Sequence, residues 1–96
     1  MLSIQLACET YSWEMAATSY KGELRHIMQV MQQAGFKGIE AETSFFGDLS
    51  DPVRMKEALD ACQLHLVALC HVENWRYATE TAAERANADR WMAFLE

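Results

Sequence analysis

Proline occurs once and glycine four times in the 96 residues, too few for a collagen-like, linker-like or low-complexity chain. Cysteine occurs three times, at Cys8, Cys62 and Cys70. Any disulfide scheme therefore leaves one thiol over, and no two stand in a C-x-x-C pair, so reduced, buried thiols are the expectation. Basic residues are outnumbered by acidic ones, eight to fourteen, for a formal net charge of −6. A phosphate-backbone binder presents a basic face instead, so nucleic acid and anionic membranes are not expected partners. No apolar run approaches membrane-spanning length, and Met1 to Thr10 lacks a basic n-region, a long apolar core and a small-residue cleavage site. A soluble, cytoplasmic protein is the resulting expectation.

What is present is a hydrophobic content of 51% with 23% charged residues, enough for the core of one domain or less. Ile4 to Glu9 is a short apolar-rich run without helical period and reads as a strand covered on both sides. From Glu23 onward, Leu24, Ile27, Met28 and Met31 recur at i, i+3, i+4 and i+7 and form one helical stripe. Gly35 follows as a left-handed cap, a backbone conformation that glycine adopts without steric cost. Phe36 to Glu42 reads as a second strand and Thr43 to Ser50 as a loop. Asp51 and Pro52 then supply an N-cap and a first helical residue, and Met55, Ala58, Leu59 and Cys62 repeat the helical spacing up to about Gln63. Leu64 to Val72, apolar except for His65 and His71, suits a strand buried on both faces. Thr81 and Glu84 have capping-box spacing and open a third helix, whose Trp91, Met92, Phe94 and Leu95 still present apolar surface near Glu96.

The order β-α-β-α-β-α, with strand onsets some thirty residues apart, requires parallel strands with right-handed crossovers and the helices outside. A (β/α)8 barrel of roughly 250 residues allots about 31 to each unit. The expectation is an α/β fold consisting of the first three β/α units of a TIM barrel, residues 1–96 forming a partial domain truncated at its C-terminus. A complete, small, doubly wound domain is the alternative. It would have to cover two bare parallel edges with no residues left to do so.

Three segments carry a family likeness: Glu9-Thr-Tyr-Ser-Trp13 after the first strand, Ala34-Gly-Phe-Lys-Gly-Ile-Glu40 into the second, and Leu64-x-Leu-Val-Ala-Leu69 in the third. In order and spacing the chain resembles the sugar phosphate isomerase/epimerase family, which has the xylose isomerase-like barrel and is related to inosose dehydratases, ketose epimerases and an apurinic endonuclease. The resemblance implies a divalent metal (manganese, magnesium, cobalt or zinc) held by carboxylates and a histidine at strand ends, with most ligands on later strands, beyond residue 96. It also implies a small carbohydrate substrate, proton transfer beside a carbonyl, and an isolated 96-residue chain without activity.

In such a barrel the residues at strand C-terminal ends face the active-site mouth, which selects Glu9, Glu40, Glu42, His71 and Glu73. Glu40 and Glu42 are two apart on one strand and point to one side, toward the barrel axis, with Ile39 and Ala41 on the other. Each could bind a substrate hydroxyl, a metal or an arginine; the bland alternative is a structural ion pair or a solvated rim charge. Cys70 and His71, being adjacent, point to opposite faces and do not make a dyad. His71 matches the place of a metal ligand in the endonuclease branch, against the plainer reading of a histidine hydrogen-bonded to a neighbouring segment. Tyr11 and Trp13, with Trp75, form either an apolar wall for a sugar ring or a cap on the barrel core. The methionines at 28, 31 and 55 are core residues, Glu84 to Asp89 is a solvated helix face, and His26 and His65 have no role at the mouth. Substrate binding is thus assigned to Glu9, Tyr11, Trp13, Glu40, Glu42 and His71, with no catalytic residue named. The competing readings are a noncatalytic half-barrel that pairs with another chain, or forms a homo-oligomer, through its open edges, and an endonuclease-like branch disfavoured by the acidic charge.

Overall fold

The computed structural model describes residues 4–15 and 23–96. Its elements are, in order, β1 (Ala7–Glu9), α1 (Tyr11–Glu14), α2 (Leu24–Gln33), β2 (Gly38–Glu42), two 3₁₀ turns (Thr43–Phe45 and Gly47–Ser50), α3 (Pro52–Ala61), β3 (His65–Cys70) and α4 (Ala82–Leu95). The strands form one sheet in the order β1-β2-β3, both pairs parallel. This is a mixed α/β structure in which each strand is followed by at least one helix.

The local chemistry explains the boundaries. Asp51 Oδ1 accepts from Val53 N at 2.9 Å and caps α3, with Pro52 in the first turn. Thr81 Oγ1 accepts from Glu84 N at 3.1 Å while Glu84 Oε1 accepts from Thr81 N at 2.7 Å, a reciprocal capping box at the start of α4. Both helices that run into the next strand end in the same way. After α2, Gly35 N donates to Gln32 O and Phe36 N to Met31 O; after α3, Gln63 N donates to Asp60 O and Leu64 N to Leu59 O. These are two Schellman motifs. The left-handed residue is Gly35 (φ +93°) in the first and Gln63 (φ +54°) in the second, so only the second turn carries a Cβ penalty.

One face of the sheet makes the core. Ile39 and Ala41 of β2 are 1% and 0% exposed and pack with Leu24, Ile27, Met28 and Met31 of α2, Met55 of α3 and Trp91 of α4. Phe45, Phe46 and Leu49, from the segment read as a plain loop, are buried in the same cluster. Phe46 meets Trp91 edge-on at 5.3 Å between ring centroids, and Phe94 lies 5.4 Å from Trp91, an arrangement that aromatic quadrupoles favour. The 3₁₀ turns therefore anchor α4 as well as connect β2 to α3.

The other face departs from expectation. Strands β1 and β3 read from the sequence as covered on both sides, yet Ala7, Glu9, Val67 and Ala68 are exposed and β3 has no fully buried residue. All three long helices contribute to a single core on one side, and among the described residues nothing comparable covers the opposite face. Strands are also shorter than predicted, since β1 keeps three residues of the predicted six. Gly38 permits close packing on the open face: a Cβ there would come within 2.9 Å of Val67 Cγ1 and 3.0 Å of Ala7 Cβ. Pairing shifts after Ile39, which matches Leu66, because Glu40 matches Ala68. Val67 is thus an extra residue in β3, and this bulge sets Cys70 beside Glu42.

Candidate functional site

Parallel strands end at the same rim, and here Glu9, Glu42 and Cys70 are the last residues of β1, β2 and β3. Glu9 pairs with Glu40 and Glu42 with Cys70 across the ladder. Ile39 and Ala41 face the core, so alternation directs Glu40 and Glu42 to the open face. Buried Thr10 extends the β1–β2 seam: its N–H donates to Glu40 O at 3.0 Å and its Oγ1 accepts from Glu42 N at 3.1 Å.

Cys70 ends β3 opposite Glu42 of β2. Burial raises its thiol pKa above the ordinary value, and the negative charges of Glu42, Glu40, Glu14 and Glu9 add to the rise. Of the four, Glu42 is the ladder partner of Cys70, and Glu9 and Glu40 pair on the neighbouring seam. Glu42, itself buried, accepts from Ser44 Oγ. Glu14 was not among the residues that sequence reasoning selected. It reaches the group because Tyr11–Glu14 closes a single helical turn, too short for periodicity to detect.

His71 takes another direction. Its Nδ1 lies 3.2 Å from Thr43 Oγ1 and its Nε2 2.9 Å from Glu73 Oε1, and Asn87 Nδ2 donates to the same Glu73 oxygen at 2.7 Å. Both ring nitrogens are engaged. The His71 ring stands 6.1 Å from Trp91, whereas the Cys70 thiol senses the carboxylates, so the two adjacent side chains serve different neighbourhoods. Glu73 was noted from its place after β3; Asn87, on α4, offered no sequence signal.

Of the aromatics, Tyr11 is exposed and Trp13 packs half-buried against the core. Trp75 lies in the wall of an open groove of about 290 Å³ that also includes Leu69, His71, Trp91, Met92 and Leu95 and neither Tyr11 nor Trp13. Its backbone is left-handed (φ +49°), uncommon for a bulky residue, and its N–H donates to Glu84 Oε2 at 2.9 Å. Glu84 thus corrects the reading of a solvated charge run. It is 6% exposed, and the amides of Thr81 and Trp75 hold its carboxyl below the usual range. Arg85 and Asp89 behave as expected, forming an exposed i,i+4 pair at 3.1 Å. His26 and His65 are exposed, and His65 begins β3 at the far end of the sheet.

All three cysteines are free, Cys62 buried and Cys8 and Cys70 half-buried. Among the described residues no three His, Cys, Asp or Glu side chains converge as metal ligands, and no helix is long and apolar enough to cross a membrane. Comparison with protein-family models, curated proteins and solved structures yields no match to this chain.

Proposed function

We propose that the three β/α units belong to a (β/α)8 barrel, with residues 1–96 a partial domain of it, and that the open sheet face is one wall of a carbohydrate site. The parent enzyme is a sugar or sugar phosphate isomerase/epimerase that transfers a proton next to a carbonyl. The observation that supports this reading is the gathering of Glu9, Glu40 and Glu42 at the C-terminal ends of β1 and β2, where Glu9 pairs with Glu40 and Glu42 with Cys70. Carboxylates accept from the hydroxyls of a polyol, and a carboxylate within hydrogen-bond reach of a carbon acid is a competent base. Exposed Tyr11 at the same rim adds an apolar face for a sugar ring. The divalent cation that the resemblance implies is not matched by the described residues, which bring no three ligands together.

The test is a titration of the isotopically labelled chain with a panel of ketoses and ketose phosphates, followed by amide chemical shifts. The expected result is weak binding with shifts confined to the rim residues 9, 14, 40 and 42, lost in Glu40→Gln. Shifts elsewhere, or none, would sink the wall assignment, and robust turnover by this chain alone would remove the partial-barrel reading. A second reading, a noncatalytic half-barrel that pairs with another chain, draws on exposed Val67 and Val72 of and after β3 and Met92 and Leu95 of α4. Light scattering separates the two readings, because only the second requires one sharp oligomeric species.

A further inference from the structure

Thr43 opens the 3₁₀ turn after β2, His71 and Glu73 follow β3, and Asn87 belongs to α4, so four residues from three separate segments meet in one run of hydrogen bonds. The atoms define the direction of that run. A carboxylate only accepts, so the 2.9 Å contact between His71 Nε2 and Glu73 Oε1 assigns the ring proton to Nε2. In the neutral ring Nδ1 is then the bare acceptor, and the Thr43 hydroxyl, 3.2 Å away, is its donor. Asn87 holds the Glu73 oxygen from the other side at 2.7 Å. His71 and Glu73 side chains are each 18% exposed, so both are largely shielded from water and the imidazole keeps one orientation.

Hydroxyl, imidazole and carboxylate thus stand in the relation of nucleophile, base and orienter, a constellation recognised by geometry and roles and not by order in the chain. Thr43 directly follows Glu42, the last residue of β2, so its hydroxyl stands at the C-terminal end of the sheet. A second observation bears on the ligand. His71 forms part of the wall of the 290 Å³ groove, whose remaining surface is apolar and aromatic, with Leu69, Trp75, Trp91 and Met92. Such a lining accepts an acyl chain or an aryl group.

We propose that Thr43, His71 and Glu73 form a hydroxyl-activating site for small acyl esters, independent of the carbohydrate wall on the open face. The Thr43 Oγ–H proton passes to His71 Nδ1 as the Oγ–carbonyl carbon bond forms. The ester C–O bond then breaks, and the leaving alkoxide or phenoxide takes its electron pair and the proton from Nδ1. Water, deprotonated by the same nitrogen, next attacks the acyl carbon. The acid departs as the Oγ–C bond breaks, and Thr43 regains its proton, so that ester and water become acid and alcohol.

The test is to incubate the chain with p-nitrophenyl butyrate, follow phenolate release, and map the acyl adduct by peptide mass spectrometry. The expected result is one butyryl group per chain on Thr43, retained at position 43 in Thr43→Ser, absent there in Thr43→Val and formed at least about a hundredfold more slowly in His71→Ala. Glu73→Gln is expected to slow acylation while leaving the circular dichroism spectrum unchanged. An adduct on Cys70 or a lysine in place of Thr43, or no adduct in either the native chain or Thr43→Ser, would overturn the proposal and leave the four residues as a structural staple. Thr43→Ser keeps the hydroxyl, so the mapping decides even where Thr43→Val fails to fold.

Discussion

The two faces of the sheet are made by alternate residues of the same three strands, and they obey different rules. On the covered face Ile39 and Ala41 are sealed by helices, and its neighbours are leucine, methionine and phenylalanine. On the open face Glu9, Glu40, Glu42 and Cys70 share one rim, where burial and then the nearby negative charges raise the thiol pKa. The first face is where stability resides. The second is organised around charge at the expense of packing, which is how functional surfaces commonly differ from cores.

The comparison breaks most severely if the covered face is damaged. Phe46, 1% exposed and in contact with the rings of Trp91 and Phe94, ties the β2–α3 turn to α4. Phe46→Ala is expected to cost about 3–5 kcal/mol, enough to unfold much of a domain this small, as measured by urea denaturation. A smaller effect, of opposite sign, is expected at the turn into β3. Replacing left-handed Gln63 by glycine matches the Gly35 turn and relieves a Cβ penalty, and Gln63→Gly is expected to gain up to about 1 kcal/mol in the same assay. An unchanged midpoint would show that the two Schellman turns are energetically equivalent despite their φ values.

On the open face the expected stability effects are the smallest. Glu40→Gln should change unfolding free energy by less than about 0.5 kcal/mol, yet it removes one of the charges that raise the Cys70 thiol pKa. The measurable change is in chemistry. Both Cys62 and Cys70 have raised thiol pKa values, Cys62 through burial and Cys70 through burial and then the carboxylates. Alkylation by iodoacetamide should therefore accelerate at Cys70 in Glu40→Gln and remain unaltered at Cys62. Folding favours the protonated thiols, so their contribution is present below the ordinary thiol pKa and is lost as pH rises from that value through the folded one. Equal acceleration at both cysteines would indicate a general loosening and not a lost charge.

The alternation of strands and helices was readable because it is written in local patterns. Leu24, Ile27, Met28 and Met31 mark one stripe of α2, Asp51 and Pro52 mark the start of α3, and Thr81 with Glu84 marks that of α4. The shared side of Glu40 and Glu42 follows from a period of two, and their partners on β1 and β3 follow only from the register. Three things escaped. The single turn Tyr11–Glu14 is shorter than any period, so Glu14 was missed. Glu84 read as a solvated charge because its second acceptor role, toward Trp75 N, depends on how the preceding loop folds back. The burial of Phe45, Phe46 and Leu49 required α4 to arrive from more than thirty residues away.

By itself, the sequence determined where the three long helices begin and which residues of β2 share a face, because caps and periodicity act between residues a few positions apart. Tertiary structure alone decided what meets at the rim. Thr43 and His71 are 28 residues apart and Glu73 and Asn87 are 14 apart. Contacts at those separations depend on the register of parallel strands and the docking of α4, which no local propensity encodes.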